Sequence, residues 1–107
     1  MLAALVPSSF AQVQHFAARL TGAQEVPPVA TAADGFAIVT VDQATSRVEV
    51  FAHGVGLTAT AAHLHIGAVG SNGPVLLPLT GGPQTWTGSA FLPGQVLAVL
   101  GGSTYVN

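Results

Sequence analysis

The sequence predicts an all-β protein, an antiparallel Greek-key β-sandwich with one short helical turn. Three observations carry that expectation. Residues 35–42 (GFAIVTVD) and 47–55 (RVEVFAHGV) alternate between two faces, which is the period of a pleated strand. Turn-forming residues recur roughly every 8–12 positions, the spacing of short antiparallel strands in sandwiches and barrels. The chain has 107 residues, enough for one hydrophobic core and too few for two.

Residues 1–6 (MLAALV) form a short apolar run, and Pro7-Ser8-Ser9-Phe10-Ala11 follows it. Ser9 and Ala11 have the small-residue spacing of a cleavage site, so residues 1–11 are read as the remnant of a secretory signal peptide. No positive charge precedes the apolar run, as one would in a complete signal. Residues 12–107 are read as the mature domain. Residues 13–20 (VQHFAARL) have a mixed alternation, and 21–31 (TGAQEVPPVAT) are punctuated by Gly22 and Pro27-Pro28. Proline lacks the donor a ladder needs, which assigns that stretch to a loop or a sheet edge.

The two alternating runs are joined by the polar turn Gln43-Ala44-Thr45-Ser46 and read as a β-hairpin. In the second run Val48, Val50 and Ala52 are expected to face inward and Arg47, Glu49, Phe51 and His53 outward. A third strand covers residues 61–66, and residues 67–74 (GAVGSNGP) make a glycine-rich turn. Residues 75–79 form a short strand cut by Pro78, and residues 85–92 (TWTGSAFL) another. Gln95 to Leu100 has the only helix-like spacing, Gly101-Gly102 ends it, and Ser103 to Asn107 opens a last strand.

Composition excludes several classes of function. Charged residues make up 6% of the chain, against roughly 25% in an average soluble domain. Lysine is absent, and Arg19 and Arg47 are the only strong bases. A nucleic-acid binder needs a basic stripe, and a membrane-surface binder a polybasic patch. Neither is present. Half of the residues are hydrophobic, but Gly, Pro, Ser and Thr interrupt them, so no window approaches the roughly 20 apolar residues of a spanning helix. There is no cysteine, and therefore no disulfide and no thiol nucleophile. No Gly-x-Ser-x-Gly elbow and no close carboxylate pair suggests hydrolytic chemistry.

Several motifs fit one family. Residues 16–28 (FAARLTGAQEVPP) resemble the opening signature of the CHRD domain, the module named from chordin. His63-Leu64-His65-Ile66-Gly67, followed by Gly70-Ser71-Asn72-Gly73-Pro74-Val75, is similar to its central signature. Trp86-Thr87-Gly88 and Tyr105-Val106-Asn107 resemble its later landmarks, and the likeness runs in order from Phe16 to Asn107. In that family the Tyr-Val-Asn stretch runs on into a Val-His-Thr segment and a Gly-Glu-Ile-Arg-Gly strand. Neither is present here, so the resemblance is to a domain incomplete at its C-terminal end. An open sheet edge is expected from that, and with it edge-to-edge self-association. The resemblance implies an exported β-sandwich, periplasmic, secreted or at the cell surface. Chordin binds growth factors, but the family has no residue-level binding signature to carry over.

The histidines raise a separate question. On a strand, residues i and i+2 share a face about 6.5–7 Å apart at Cα, so His63 and His65 can converge on one metal ion. Imidazole suits copper and zinc. Two ligands do not close a site, and His53, with Glu49 on its face, is the third candidate, ahead of His15 near the start. The competing reading is structural: a packed histidine donates from one nitrogen and accepts at the other, and the Gly67–Gly73 loop offers carbonyls and amides to it. The stretch is also similar, locally, to the His-x-His strand of copper–zinc superoxide dismutase. The loop after His65 contains no His, Asp or Cys, which argues against that enzyme.

Glu25, in the proline-stiffened loop, is expected either to fix that loop by accepting amide hydrogen bonds or to meet a ligand. Trp86 is expected to plug the core or a sheet edge, with a ligand platform as the alternative. The expectation is a non-enzymatic, exported binding or structural module with an unidentified protein or surface partner. The rival reading is a copper- or zinc-binding protein built on His63 and His65.

Overall fold

The structure is a computed structural model that describes residues 12–68 and 70–107. The signal-peptide reading of residues 1–11 lies outside the described residues. Strands β1 (Val13–Thr21), β2 (Asp34–Asp42) and β3 (Arg47–Val55) come first, with a single 3-10 turn at Gly22–Gln24 after β1. Then follow β4 (His63–Ile66), β5 (Val75–Pro78), β6 (Thr80–Gly81), β7 (Thr85–Phe91), helix α1 (Val96–Leu100) and β8 (Thr104–Val106).

The strands form two antiparallel sheets. One has five strands in the order β1-β2-β3-β7-β6, and the other has three in the order β5-β4-β8. The chain leaves the larger sheet after β3, builds β4 and β5 of the smaller one, and returns so that β7 lies beside β3. That return gives the sandwich its Greek-key character.

The hairpin forms as its alternation requires. β2 and β3 pair in unbroken register from Asp34↔Val55 to Asp42↔Arg47. Ala37, Val39 and Val41 of β2 and Val48, Val50 and Ala52 of β3 are all buried. Directly opposite residues share a face, so both strands present one apolar side to the core. Leu64, Leu77, Leu79 and Trp86 meet them there, and Val96 and Val99 of α1 join the same cluster. Each fully buried Val or Leu side chain contributes about 1.5–3 kcal/mol relative to exposure. The smaller sheet is less regular, because β4 against β5 shifts register between Leu64 and His65.

β1 pairs with β2 along its whole length, from Val13↔Asp42 to Thr21↔Asp34. Phe16 and Leu20 pack against the core, while His15, Ala17 and Arg19 stand opposite Thr40, Ile38 and Phe36 on the outer face.

Candidate functional site

β4 places Leu64 in the core with no exposed surface. Its neighbours His63 and His65 therefore project together from the outer face of the three-stranded sheet. Their ring centroids lie 5.5 Å apart with the planes at 83°. The expectation that the two rings share a side is met.

Two other residues hold His65. Its Nδ1 lies 2.9 Å from the carbonyl oxygen of Gly73. A carbonyl only accepts, so Nδ1 carries the proton and donates it, leaving the Nε2 lone pair free. On the other side Tyr105, directly opposite His65 in the β4–β8 ladder, stacks on the imidazole with centroids 4.9 Å apart and planes at 3°. The Tyr105 hydroxyl oxygen accepts a 2.7 Å hydrogen bond from the Gly73 amide. Gly73 thus binds both aromatic rings through its own backbone. A Cβ at this position would run into the carbonyl oxygen of Ile66, so the loop can close on β4 only with glycine here. The glycine-rich loop satisfies a histidine with its backbone, as the structural reading of His65 anticipated. The His63 side chain makes no hydrogen bond among the described residues.

His53 does not join this pair. It lies on β3 with Ala52 buried beside it, so its ring stands on the outer face of the five-stranded sheet. Its Nδ1 lies 2.9 Å from the Thr85 hydroxyl, and its ring centroid is 5.9 Å from that of Phe36. The core of the sandwich separates it from His63 and His65. As a third ligand to the same ion, His53 is therefore corrected by the fold: adjacency in sequence order put it on a neighbouring run, but the chain changes sheets between β3 and β4. Glu49 shares the His53 face and accepts a hydrogen bond from Arg47 at 2.9 Å. His15, on β1, lies 2.9 Å from the Thr40 hydroxyl on that same face. Among the described residues no group of three or more His, Cys, Asp or Glu side chains is gathered for a metal ion.

Glu25 and Trp86 line one groove of about 550 Å3, together with Leu20, Leu57 and Val106, where the two sheets part. Trp86 belongs to the core, as expected of a plug, and its Nε1 is the one buried side-chain polar atom without a partner among the described residues. The Glu25 carboxylate accepts no hydrogen bond among the described residues. The loop is closed instead by the backbone, with the amides of Glu25 and Val29 both donating to the Gly22 carbonyl.

A further feature is the outer edge of β1. The Gln43 amide donates to the Gln12 carbonyl, which marks that pair as hydrogen-bonded. Bonded and non-bonded pairs alternate along an antiparallel ladder. Gln14, Phe16, Ala18 and Leu20 therefore bond to β2, and the amides of Val13, His15, Ala17 and Arg19 point away from it. The Thr21 amide, next in that outward series, donates to the Gln24 side chain at 2.9 Å. No strand pairs with this edge among the described residues. Arg19 and Asp34 clamp the end of β1 to β2 with two hydrogen bonds of 3.0 and 3.1 Å. The bond from Arg19 holds the Asp34 carboxyl below its ordinary value. Sequence reasoning placed a free edge at the chain's end and missed this one. The mixed alternation of residues 13–20 says that a strand forms, but not which neighbour it lacks.

The model of the CHRD domain family matches residues 16–107. No curated protein and no solved structure shows a significant match to the chain. Among the described residues no helix is long and apolar enough to cross a membrane.

Proposed function

The chain belongs to the CHRD domain family, and on that premise we propose that it is an exported, non-enzymatic module that binds another polypeptide by strand addition at β1. The edge of β1 that no described strand pairs carries this reading. It offers nine residues in one unbroken register. Edge strands in monomeric proteins are commonly short, bulged, or blocked by lysine or proline. β1 has none of these protections, and its one charge, Arg19, is engaged by Asp34. An added strand would gain main-chain hydrogen bonds from the outward amides, while its alternate side chains extend the Phe16–Leu20 side of the core.

A second copy of this chain is the occupant the edge itself fits. Pairing two β1 strands about a two-fold axis at residue 16 or 17 sets Arg19 opposite Val13 or His15 of the other copy, never opposite another arginine. The first of these registers brings the two Phe16 rings together over the core side. Sedimentation across a concentration series tests this. We expect a reversible dimer that Ala17→Pro abolishes, because this change removes a donor at the centre of the free edge and leaves the β2 ladder intact. A wild-type chain that stays monomeric to millimolar concentration, with Ala17→Pro indistinguishable from it, counts against the reading. Export is tested separately by the N-terminus of the product recovered outside the cytoplasm, which is expected at Gln12.

A further inference from the structure

We infer that His63 and His65 form an open, two-imidazole site for a late divalent transition metal, copper(II) foremost, on the outer face of the three-stranded sheet. The site is independent of the β1 edge. Four observations carry it.

The first is spacing. Two imidazoles that share one ion at about 2.0–2.1 Å have ring centroids roughly 4.5–5.5 Å apart for bond angles between right and trigonal. The centroids here are 5.5 Å apart, at the wide end of that interval. The second is the proton. Donation from His65 Nδ1 to the Gly73 carbonyl leaves Nε2 as a free lone pair, and a backbone acceptor on the far nitrogen is how ligating histidines are commonly oriented. The third is rigidity. The Tyr105 stack and the bond from the Gly73 amide to the Tyr105 hydroxyl fix the plane of the His65 ring before any ion arrives. The fourth is the His63 ring, which makes no competing hydrogen bond among the described residues and stands beside His65 on the same face.

The metal class follows from the donors. Imidazole nitrogens without thiolate or carboxylate suit copper, nickel and zinc, and at a given nitrogen site affinity is highest for copper(II) among these. Since only two side chains contribute, the remaining positions are left to water or to a donor from outside the chain. A closed structural zinc site of four protein ligands is not what this face provides.

The test is titration of the pure chain with copper(II) chloride in a non-coordinating buffer, read by calorimetry and by electron paramagnetic resonance. One equivalent should bind, with two nitrogens in the equatorial set, and should raise the melting temperature. His63→Ala decides, because it removes a ligand without removing any hydrogen bond seen in the fold; it should abolish one-equivalent binding. Tyr105→Leu, which keeps both ligands but frees the His65 ring, should weaken binding about 10–100-fold, as loss of an orienting partner does. His53→Ala and His15→Ala, on the other sheet, should change nothing. The inference is overturned if wild type binds copper no better than the His63→Ala/His65→Ala double variant. It is equally overturned if His63→Ala binds like wild type, or if His53→Ala or His15→Ala costs as much.

Discussion

The β2–β3 hairpin and the β4–β5–β8 sheet are built from the same kinds of residue and are held together differently. In the hairpin, nine consecutive cross-strand pairs fix the face of every side chain. A slip of one position would move the whole apolar set into water. In the smaller sheet, β4 meets β8 over three pairs, and its pairing with β5 shifts register beside His65. So short a ladder cannot determine its own geometry. Leu64 anchors it from below, and the backbone of Gly73 clamps His65 and Tyr105 from above. A long local ladder stabilises itself, whereas a short non-local one depends on a core plug and a loop.

That contrast can be broken most directly at its anchor. Leu64→Ala removes a side chain with no exposed surface, so a loss of about 2–5 kcal/mol is expected in denaturant unfolding. Native-state hydrogen exchange should show β4 and β8 opening before β2 and β3. If the hairpin amides exchange first, the smaller sheet is not the weaker unit.

A smaller effect sharpens the role of the loop. Tyr105→Phe keeps the stack on His65 and deletes the hydroxyl that accepts from Gly73. About 0.5–1.5 kcal/mol should be lost, with faster exchange confined to the Gly73 amide and its neighbours. An unchanged Gly73 amide would show that the clamp is not formed in solution.

The smallest effect belongs to the larger sheet, at the end of β1. Arg19 lowers the folded-state pKa of Asp34, mainly by donating a hydrogen bond to it. The pair's stabilisation is therefore fully present above the ordinary carboxylate value and is lost as pH falls through the lowered one. Both groups are exposed, so the effect is slight and screened by salt. Protection at the Arg19 end of β1, taken relative to the intrinsic amide exchange rate at each pH, should fall on acidification in the wild type and stay constant over that range in Asp34→Asn. An equal acid response in both would assign it to another group.

Much of this was legible in the residues. The inward set Val48, Val50 and Ala52, the outward His53, the hairpin turn, the short helix and the common face of His63 and His65 all follow from periods of two or 3.6, which are properties of the backbone itself. The motifs from Phe16 to Asn107 carried the family. The pairing of His65 with Tyr105 was not legible, because it joins positions forty residues apart in sequence through a register that no local pattern encodes. The same holds for the side of β1 that no described strand pairs.

By itself the sequence determined the longer strands and the inward face of β3, though not the two-residue β6, because alternation and turn chemistry act over a few neighbouring residues. Only the tertiary structure decided which sheet each strand joins. That choice set His53 on one outer face and His63 with His65 on the other, brought Gly73 and Tyr105 to the second, and left β1 at an edge. Strand order is settled by how two apolar sheet faces pack to exclude water, a competition among distant segments that no short stretch of residues can record.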